Sequence, residues 1–260
     1  MNNDTRPIGF FDSGIGGTTI WHAVHQLLPY ENTLFLGDSM NAPYGQKSVK
    51  EIIQLSHKNT QLLLKHNAKM IIVACNTATT NAIYELRNTY DIPFIGIEPA
   101  IKPAAENTKT KAVGVLATQG TLNSKKYSEA QILHPNIQFI NQIGHGIVQL
   151  IEAGKLHTEE MKDLLKSYVL PMVEFNIDHL VLGCTHYPYL IPLLKEILPQ
   201  EVKIVDSSAA VANRTLKILQ EKKLLKTDNL LGYSKFYTNK DEVILQSFIK
   251  DFGIAEKLLF

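Results

Sequence analysis

The chain has two cysteines, and each stands where chemistry could use it. Cys75 lies in "IIVACNTAT" and Cys184 in "LVLGCTHYP"; each closes an apolar run and is followed by hydroxyl, amide or imidazole side chains. A cysteine at the carboxyl end of a buried strand, just ahead of a helix, sits near backbone N–H groups and the positive end of the helix dipole. Both favour thiolate over thiol. Cys184 has His186 two residues on, and Cys75 has Asn76 and Thr77 beside it. A thiolate can be a nucleophile or a general base. If only one attacks, Cys184 with His186 makes a thiol hydrolase and Cys75 is idle. If both matter, the reaction is nearly symmetric: one thiolate takes a proton from one face of a carbon, and the opposite thiol returns a proton to the other face. That is stereoinversion. Its commonest setting is the α-carbon of an amino acid, whose carbanion needs donors aimed at the developing charge. The competing explanation is packing, because free cysteine is among the most buried residue types.

What positions these thiols is an alternation of apolar runs with longer amphipathic stretches, the pattern of a parallel α/β architecture. "PIGFFDSG" (7–14), "NTLFLGD" (32–38), "KMIIVACN" (69–76) and "IPFIGIEP" (92–99) read as strands, with helices from Val49 to His66 and from Thr77 to Tyr90. The order then repeats roughly 105 residues on. "KAVGVLATQG" (111–120) matches the first strand, setting Val113-Gly114-Val115 on Ile8-Gly9-Phe10. "NIQFINQ" (136–142) matches the second, "HLVLGCT" (179–185) the third and "VKIVDSS" (202–208) the fourth. The third match places Cys184 on Cys75 and Asn176 on Asn67. Any two α/β strands look alike; four matches in order, with cysteines at corresponding ends, point to an internal duplication. The expected fold is therefore α/β, with two pseudo-symmetric parallel-sheet α/β domains and the active site in the cleft between them. Ligands of such sheets gather at the carboxyl ends of strands, where both cysteines lie. The first domain is assigned residues 1–99 plus 209–260, and the duplicate 100–208. In the unrepeated tail, Ala209–Lys222 and Asp241–Phe252 read as helices and "YSKFYTN" (233–239) as a strand.

Bulk properties narrow the field. A net charge of +1 offers no field to attract nucleic acid or an anionic membrane, so neither is an expected partner. With 45% hydrophobic and 20% charged residues the composition is that of a globular protein. No basic start with an apolar h-region opens the chain and no apolar run is long enough to span a bilayer, so the expected location is cytoplasmic with reduced thiols. Two cysteines without CxxC spacing make a poor metal site, so none is expected.

Around the thiols, "FDSGIGG" (11–17) puts Asp12 and Ser13 at the end of the first strand. The glycines suggest a phosphate loop, but neither GxGxxG register nor a following lysine is present, and Asp12 would repel phosphate. Asp12 suits orienting a substrate ammonium or assisting Cys75; capping a helix is its structural alternative. "PYG" (43–45) brings Tyr44 and Gly45 to a turn after the second strand. "ATQGT" (117–121) is the duplicate's counterpart of "DSGIG", with Thr118 and Thr121 as hydroxyl donors for a carboxylate. Glu152, at a helix end, is a surface carboxylate unless it reaches His186. The other eight histidines read as surface residues.

Taken together, "FDSGIGG", "GDSMNAPYG", "ACNTAT", "GIEPA" and "LGCTHYP" resemble the glutamate racemase family in order and spacing over nearly the whole chain. The resemblance implies interconversion of L- and D-glutamate, supplying D-glutamate for peptidoglycan, with no cofactor and no metal. It implies that Cys75 and Cys184 are the two acid/base thiols, that Asp12 and His186 assist them respectively, and that Glu152 stands behind His186. Asp12, Ser13, Tyr44, Gly45, Asn76, Thr77, Thr185 and His186 fall on its substrate-contacting positions, with Thr118 added. Homodimers are usual in the family. The tail reads "FYTNKDEVIL" where the family often has Thr-Gly-Asp. Aspartate racemases share the paired-cysteine plan, so aspartate or another small amino acid is the rival substrate. A non-catalytic two-lobed amino-acid-binding protein is the rival of another kind.

Overall fold

A computed structural model describes residues 3–260. Ten strands form two sheets in which every pairing is parallel. The first sheet has the order β10-β9-β2-β1-β3-β4, from β1 (Ile8–Asp12), β2 (Thr33–Gly37), β3 (Met70–Val73), β4 (Phe94–Gly96), β9 (Ser234–Thr238) and β10 (Ala255–Lys257). The second has the order β6-β5-β7-β8, from β5 (Ala112–Ala117), β6 (Gln138–Ile143), β7 (His179–Gly183) and β8 (Lys203–Val205). Taking β1 to β5, β2 to β6, β3 to β7 and β4 to β8, the two orders coincide.

Pairing register corrects two of the strand matches. Ile8 pairs with Thr33 where Val113 pairs with Phe139, so Thr33 corresponds to Phe139, two residues beyond the match read from sequence. By the same reasoning Phe94 corresponds to Ile204, again two beyond. The β1–β3 ladder maps onto the β5–β7 ladder without adjustment, since Ile8–Met70 becomes Val113–His179. Short apolar runs align about as well two residues along as in register, and only ladder hydrogen bonds distinguish the choices. Asn67 and Asn176, each just ahead of its cysteine-bearing strand, both take left-handed backbone, with φ of 60° and 58°. Asparagine tolerates that conformation, and it serves here to stop a helix and turn the chain into β3 or β7.

The helices are α1 (Thr18–Leu27), α2 (Val49–Lys65), α3 (Asn76–Thr89), α4 (Ile101–Asn107), α5 (Gln119–Leu122), α6 (Lys125–Ile132), α7 (Ile147–Glu152), α8 (Glu159–Val173), α9 (Ile191–Ile197), α10 (Ser208–Glu221) and α11 (Glu242–Ile249). Local signals explain their starts. Ser48 and Glu51 form a reciprocal capping box on α2, and Thr158 caps α8 through the backbone N–H of Met161. The helix expected over 241–252 breaks at Ile249 into a short turn (Lys250–Phe252), and the chain then adds β10, which the sequence reading missed. Three residues at a sheet edge are too few to show a period. The tail strand β9 pairs with β2, extending the first sheet.

One apolar cluster joins the two sheets, running from Ile8, Phe10 and Trp21 to Leu116, Leu165 and Leu180. Two smaller clusters cover the opposite faces, one of Phe11, Ile71 and Leu63, the other of Val113, Val115 and Val181. Strands buried on both faces account for the unbroken apolar runs of "IGFF" and "LVLG". No helix among the described residues is long and apolar enough to cross a membrane.

Candidate active site

The carboxyl ends of β1 and β3 face those of β5 and β7 across a cavity enclosing about 250 Å³ of empty space, open solvent at its mouth included. Cys75 lines it from the first sheet and Cys184 from the second. Ser13, Tyr44, Gly45, Asn76, Thr77, Thr118, Thr185 and His186 line the same cavity. Pro43 and Val148, which the sequence reading did not single out, complete the wall. Pro43, Gly45, Thr118 and Val148 also border an outer recess that includes Gln46 and His145. Among the described residues no lysine or arginine lines the cavity, so an anionic ligand there meets hydroxyls, an amide and a histidine.

Cys75 is the N-cap of α3. Its sulfur accepts from the N–H of Ala78 at 3.4 Å and lies 3.6 Å from Ser13 Oγ. These contacts should help a thiolate, yet burial and the neighbouring Asp12 charge push the Cys75 thiol well above its ordinary range. The helix-dipole argument thus fails for this residue: one N–H at a capping distance does not offset full desolvation beside an anion.

Asp12, wholly buried, stands behind Ser13 and outside the wall. One oxygen accepts from Ser13 N (2.7 Å) and Ser13 Oγ (3.3 Å), the other from Gly17 N (2.5 Å) and Thr185 Oγ1 (3.2 Å). Both oxygens being committed, Asp12 reaches the cavity through Ser13 and Thr185. Burial raises its pKa, against the opposing influence of His186 and Cys75.

Cys184 has a different neighbour. Its sulfur is 3.8 Å from His186 Nδ1, and His186 Nε2 is 2.6 Å from Glu152 Oε1. Glu152 is 8% exposed and His186 1%, so this is a buried pair and not a surface carboxylate. Burial works against the imidazolium, but Cys184 and Glu152 outweigh it and hold His186 well above its ordinary pKa. Burial likewise works against the Glu152 carboxylate; the bonds from His186 and Ile15 N (2.7 Å) prevail and lower its pKa. Gly16 N lies 3.3 Å from Nε2, a contact and not a second bond, because that nitrogen's proton goes to Glu152.

These distances explain the glycines of "GIGG". A Cβ on Gly14 would sit 1.9 Å from Glu152 Oε1, and one on Gly16 would sit 2.2 Å from His186 Nδ1. The loop is glycine-rich so that the His186–Glu152 pair can lie against bare backbone, a reason that has nothing to do with phosphate.

Tyr44 OH donates to Asp38 Oδ2 (2.5 Å) and accepts from Asn59 Nδ2 (3.1 Å), so its hydroxyl is taken. Thr77 and Thr118 share a hydroxyl contact of 2.8 Å across the two sheets, with Thr121 3.0 Å from Thr118. Asn76 is buried, and neither of its amide atoms has a hydrogen-bond partner among the described residues. The surface reading fails for His179, which is buried with Nδ1 2.8 Å from Asp178 Oδ1; a first strand residue facing its neighbour's carboxylate carries no periodic signal.

With this geometry in view, comparison with known proteins is direct. The sequence model of the Asp/Glu/Hydantoin racemase family matches residues 19–215. The chain belongs to this family. A glutamate racemase of Herpetosiphon aurantiacus is 40% identical over 237 residues, covering 91% of this chain and 93% of that one. Among solved structures, a glutamate racemase isoform from Bacillus anthracis superposes with a TM-score of 0.87 at 30% identity, over 99% of this chain and 98% of that one. The Escherichia coli glutamate racemase in complex with L-glutamate and the activator UDP-MurNAc-ala gives 0.85 at 32% identity, over 98% of each chain. These matches run across both sheets, as expected for an α/β racemase fold.

Proposed function

We propose that this protein interconverts L- and D-glutamate by a two-base mechanism in which Cys75 and Cys184 act on opposite faces of the α-carbon. The observation that carries the reading is that the two thiols, from corresponding strand ends of opposite sheets, line one small cavity. The substrate is glutamate by likeness to relatives bearing that activity. Asn76, Thr77 and Thr118 are the donors for its carboxylates.

The protonation states suit the reaction. Burial and Asp12 favour the thiol form of Cys75, while His186, held protonated well above its ordinary pKa, stands 3.8 Å from the Cys184 sulfur. Cys184 removes the α-proton, the electron pair stays on carbon and its carboxylate, and Cys75 delivers its proton to the other face. The product leaves with Cys184 as thiol and Cys75 as thiolate; the opposite enantiomer uses the pair in reverse. Ser13, between Cys75 and Asp12, offers a route by which the raised-pKa Asp12 shares the proton of Cys75. The mechanism calls on no cofactor. We further assign residues 1–99 with 209–260 to one domain and 100–208 to the other, and place the enzyme in the cytoplasm as a homodimer supplying D-glutamate for peptidoglycan.

The test is proton exchange in deuterated water followed by NMR, with L- and D-glutamate, on wild type, Cys75→Ser and Cys184→Ser. The reading expects wild type to interconvert the enantiomers with deuterium at the α-position and both variants to lose interconversion. Turnover of aspartate in place of glutamate would reassign the substrate. A fully active Cys75→Ser would favour a single-thiol hydrolase, and binding without exchange a non-catalytic lobe pair.

A further inference from the structure

Tyr189 is three residues beyond His186, outside the cavity wall, and among the described residues its hydroxyl has one hydrogen-bond partner: Thr18 Oγ1, 2.5 Å away on the opposite side of the cleft. Thr18 is buried, and its single proton goes to the carbonyl of Ile15 at 2.5 Å. Tyr189 must therefore be the donor to Thr18. From Ile15 the chain of bonds continues: its N–H donates to Glu152 Oε1, which also receives the proton of His186 Nε2. The backbone N–H of Tyr189 is 3.4 Å from the carbonyl of His186 and closes the circuit. A second tie runs alongside, from Thr19 Oγ1 to the carbonyl of Thr185 at 3.0 Å. Behind Tyr189, the ring of Phe248 on α11 packs edge-on, with centroids 4.5 Å apart. A Cβ added to Gly154, in the loop after α7, would lie 3.3 Å from Ile244 of α11.

We propose that Tyr189, with Thr18 as its acceptor and Phe248 as its support, is a positioning latch that holds the His186–Glu152 pair against Cys184. The proposal rests on the two-thiol reading, since it matters only if Cys184 is a working base. The hydroxyl touches neither thiol nor the cavity, so it acts through geometry. Without it the 15–17 loop and the 184–189 loop are no longer tied by a side-chain hydroxyl pair at this point. The Cys184–His186 separation, 3.8 Å and already long, is then free to widen. Small losses of alignment cost rate more than affinity.

Four variants and a control test it. Tyr189→Phe keeps the ring on Phe248 and removes only the donor. Thr18→Val removes the acceptor, and the double variant removes both. Thr18→Ser restores the hydroxyl. Each variant is assayed for kcat and KM with both enantiomers after its Tm has confirmed folding. The latch predicts a fall in kcat of about threefold to tenfold for Tyr189→Phe and for Thr18→Val, the range set by one neutral hydrogen bond. KM should stay within about twofold, the double variant should lose no more than either single, and Thr18→Ser should recover wild-type kcat. Unchanged kcat in Tyr189→Phe, or losses that multiply in the double variant, would overturn it. Cys184→Ser is the control: inactive Cys184→Ser with unaltered Tyr189→Phe removes the latch alone, whereas an active Cys184→Ser removes the two-thiol reading and the latch with it.

Discussion

Cys75 and Cys184 occupy equivalent ends of equivalent strands, but their surroundings differ in the sign of the nearest charge. Cys75 opens a helix of fourteen residues and has Ser13 and the buried Asp12 carboxylate beside it. After Cys184 the chain makes only a short turn (Tyr187–Leu190) before α9, and that turn brings in a histidine clamped by a buried glutamate. The matching strand order of the two sheets supplies the opposed geometry, and the residues following each cysteine supply opposite electrostatics. The difference bears on the proposed two-thiol reaction, in which one sulfur gives a proton while the other takes one.

The largest expected effect comes from removing either member. Cys75→Ser and Cys184→Ser should each lower kcat for racemisation by about a thousandfold or more, the scale of a lost general acid or base, as measured by polarimetry with either enantiomer. Because the two enantiomers have equal free energy, the loss in kcat/KM must be the same in both directions. Equal losses therefore check the assay, and only an unequal split of kcat and KM separates the roles of the two thiols. Gly16→Ala comes next. Its methyl would displace His186 and should lower kcat by about a hundredfold with the Cys75 side untouched. A Gly16→Ala enzyme of wild-type activity would mean that His186 has freedom the buried pair does not suggest.

Glu152→Gln acts more gently, through charge. Loss of the carboxylate should lower kcat by about tenfold to a hundredfold and move the alkaline limb of kcat/KM to lower pH, because His186 surrenders its proton sooner. The same substitution has a stability signature. Glu152 is lowered from 4.5, so its contribution is present above that value and is lost as pH falls through the folded pKa. His186 is raised from 6.5, so its contribution is full below that value and is lost as pH rises through the folded pKa. The Tm gap between wild type and Glu152→Gln should therefore be widest between pH 4.5 and 6.5. Asp178→Asn should have the smallest effect on catalysis. Asp178 accepts from Thr108 Oγ1 and Lys109 N, each at 2.6 Å, away from both thiols; its loss should lower Tm by about 3 °C and leave kcat unchanged.

Much of this arrangement was legible in the chain. Apolar runs on both faces mark buried parallel strands, and the ordered matches between them anticipated two sheets of coincident strand order. The cavity wall, too, is mostly made of residues that follow strand ends. Edge strand β10 and the exact register of β6 and β8 were not legible, because short apolar segments slide past one another without penalty until ladder bonds form. Val148 escaped notice because an apolar helix residue at a cavity wall looks like any core valine.

The sequence by itself determined that two cysteines would stand at corresponding strand ends, because repeating apolar and polar order along the chain is a local property that needs no partner. The proton affinities of Cys75 and His186 were decided only by the tertiary structure. Whether a thiol or an imidazole holds its proton depends on what is buried against it, and Asp12 beside Cys75 and Glu152 behind His186 arrive there from distant segments. The same holds for Tyr189 and Thr18, 171 residues apart, whose hydroxyls mean nothing until folding brings them together.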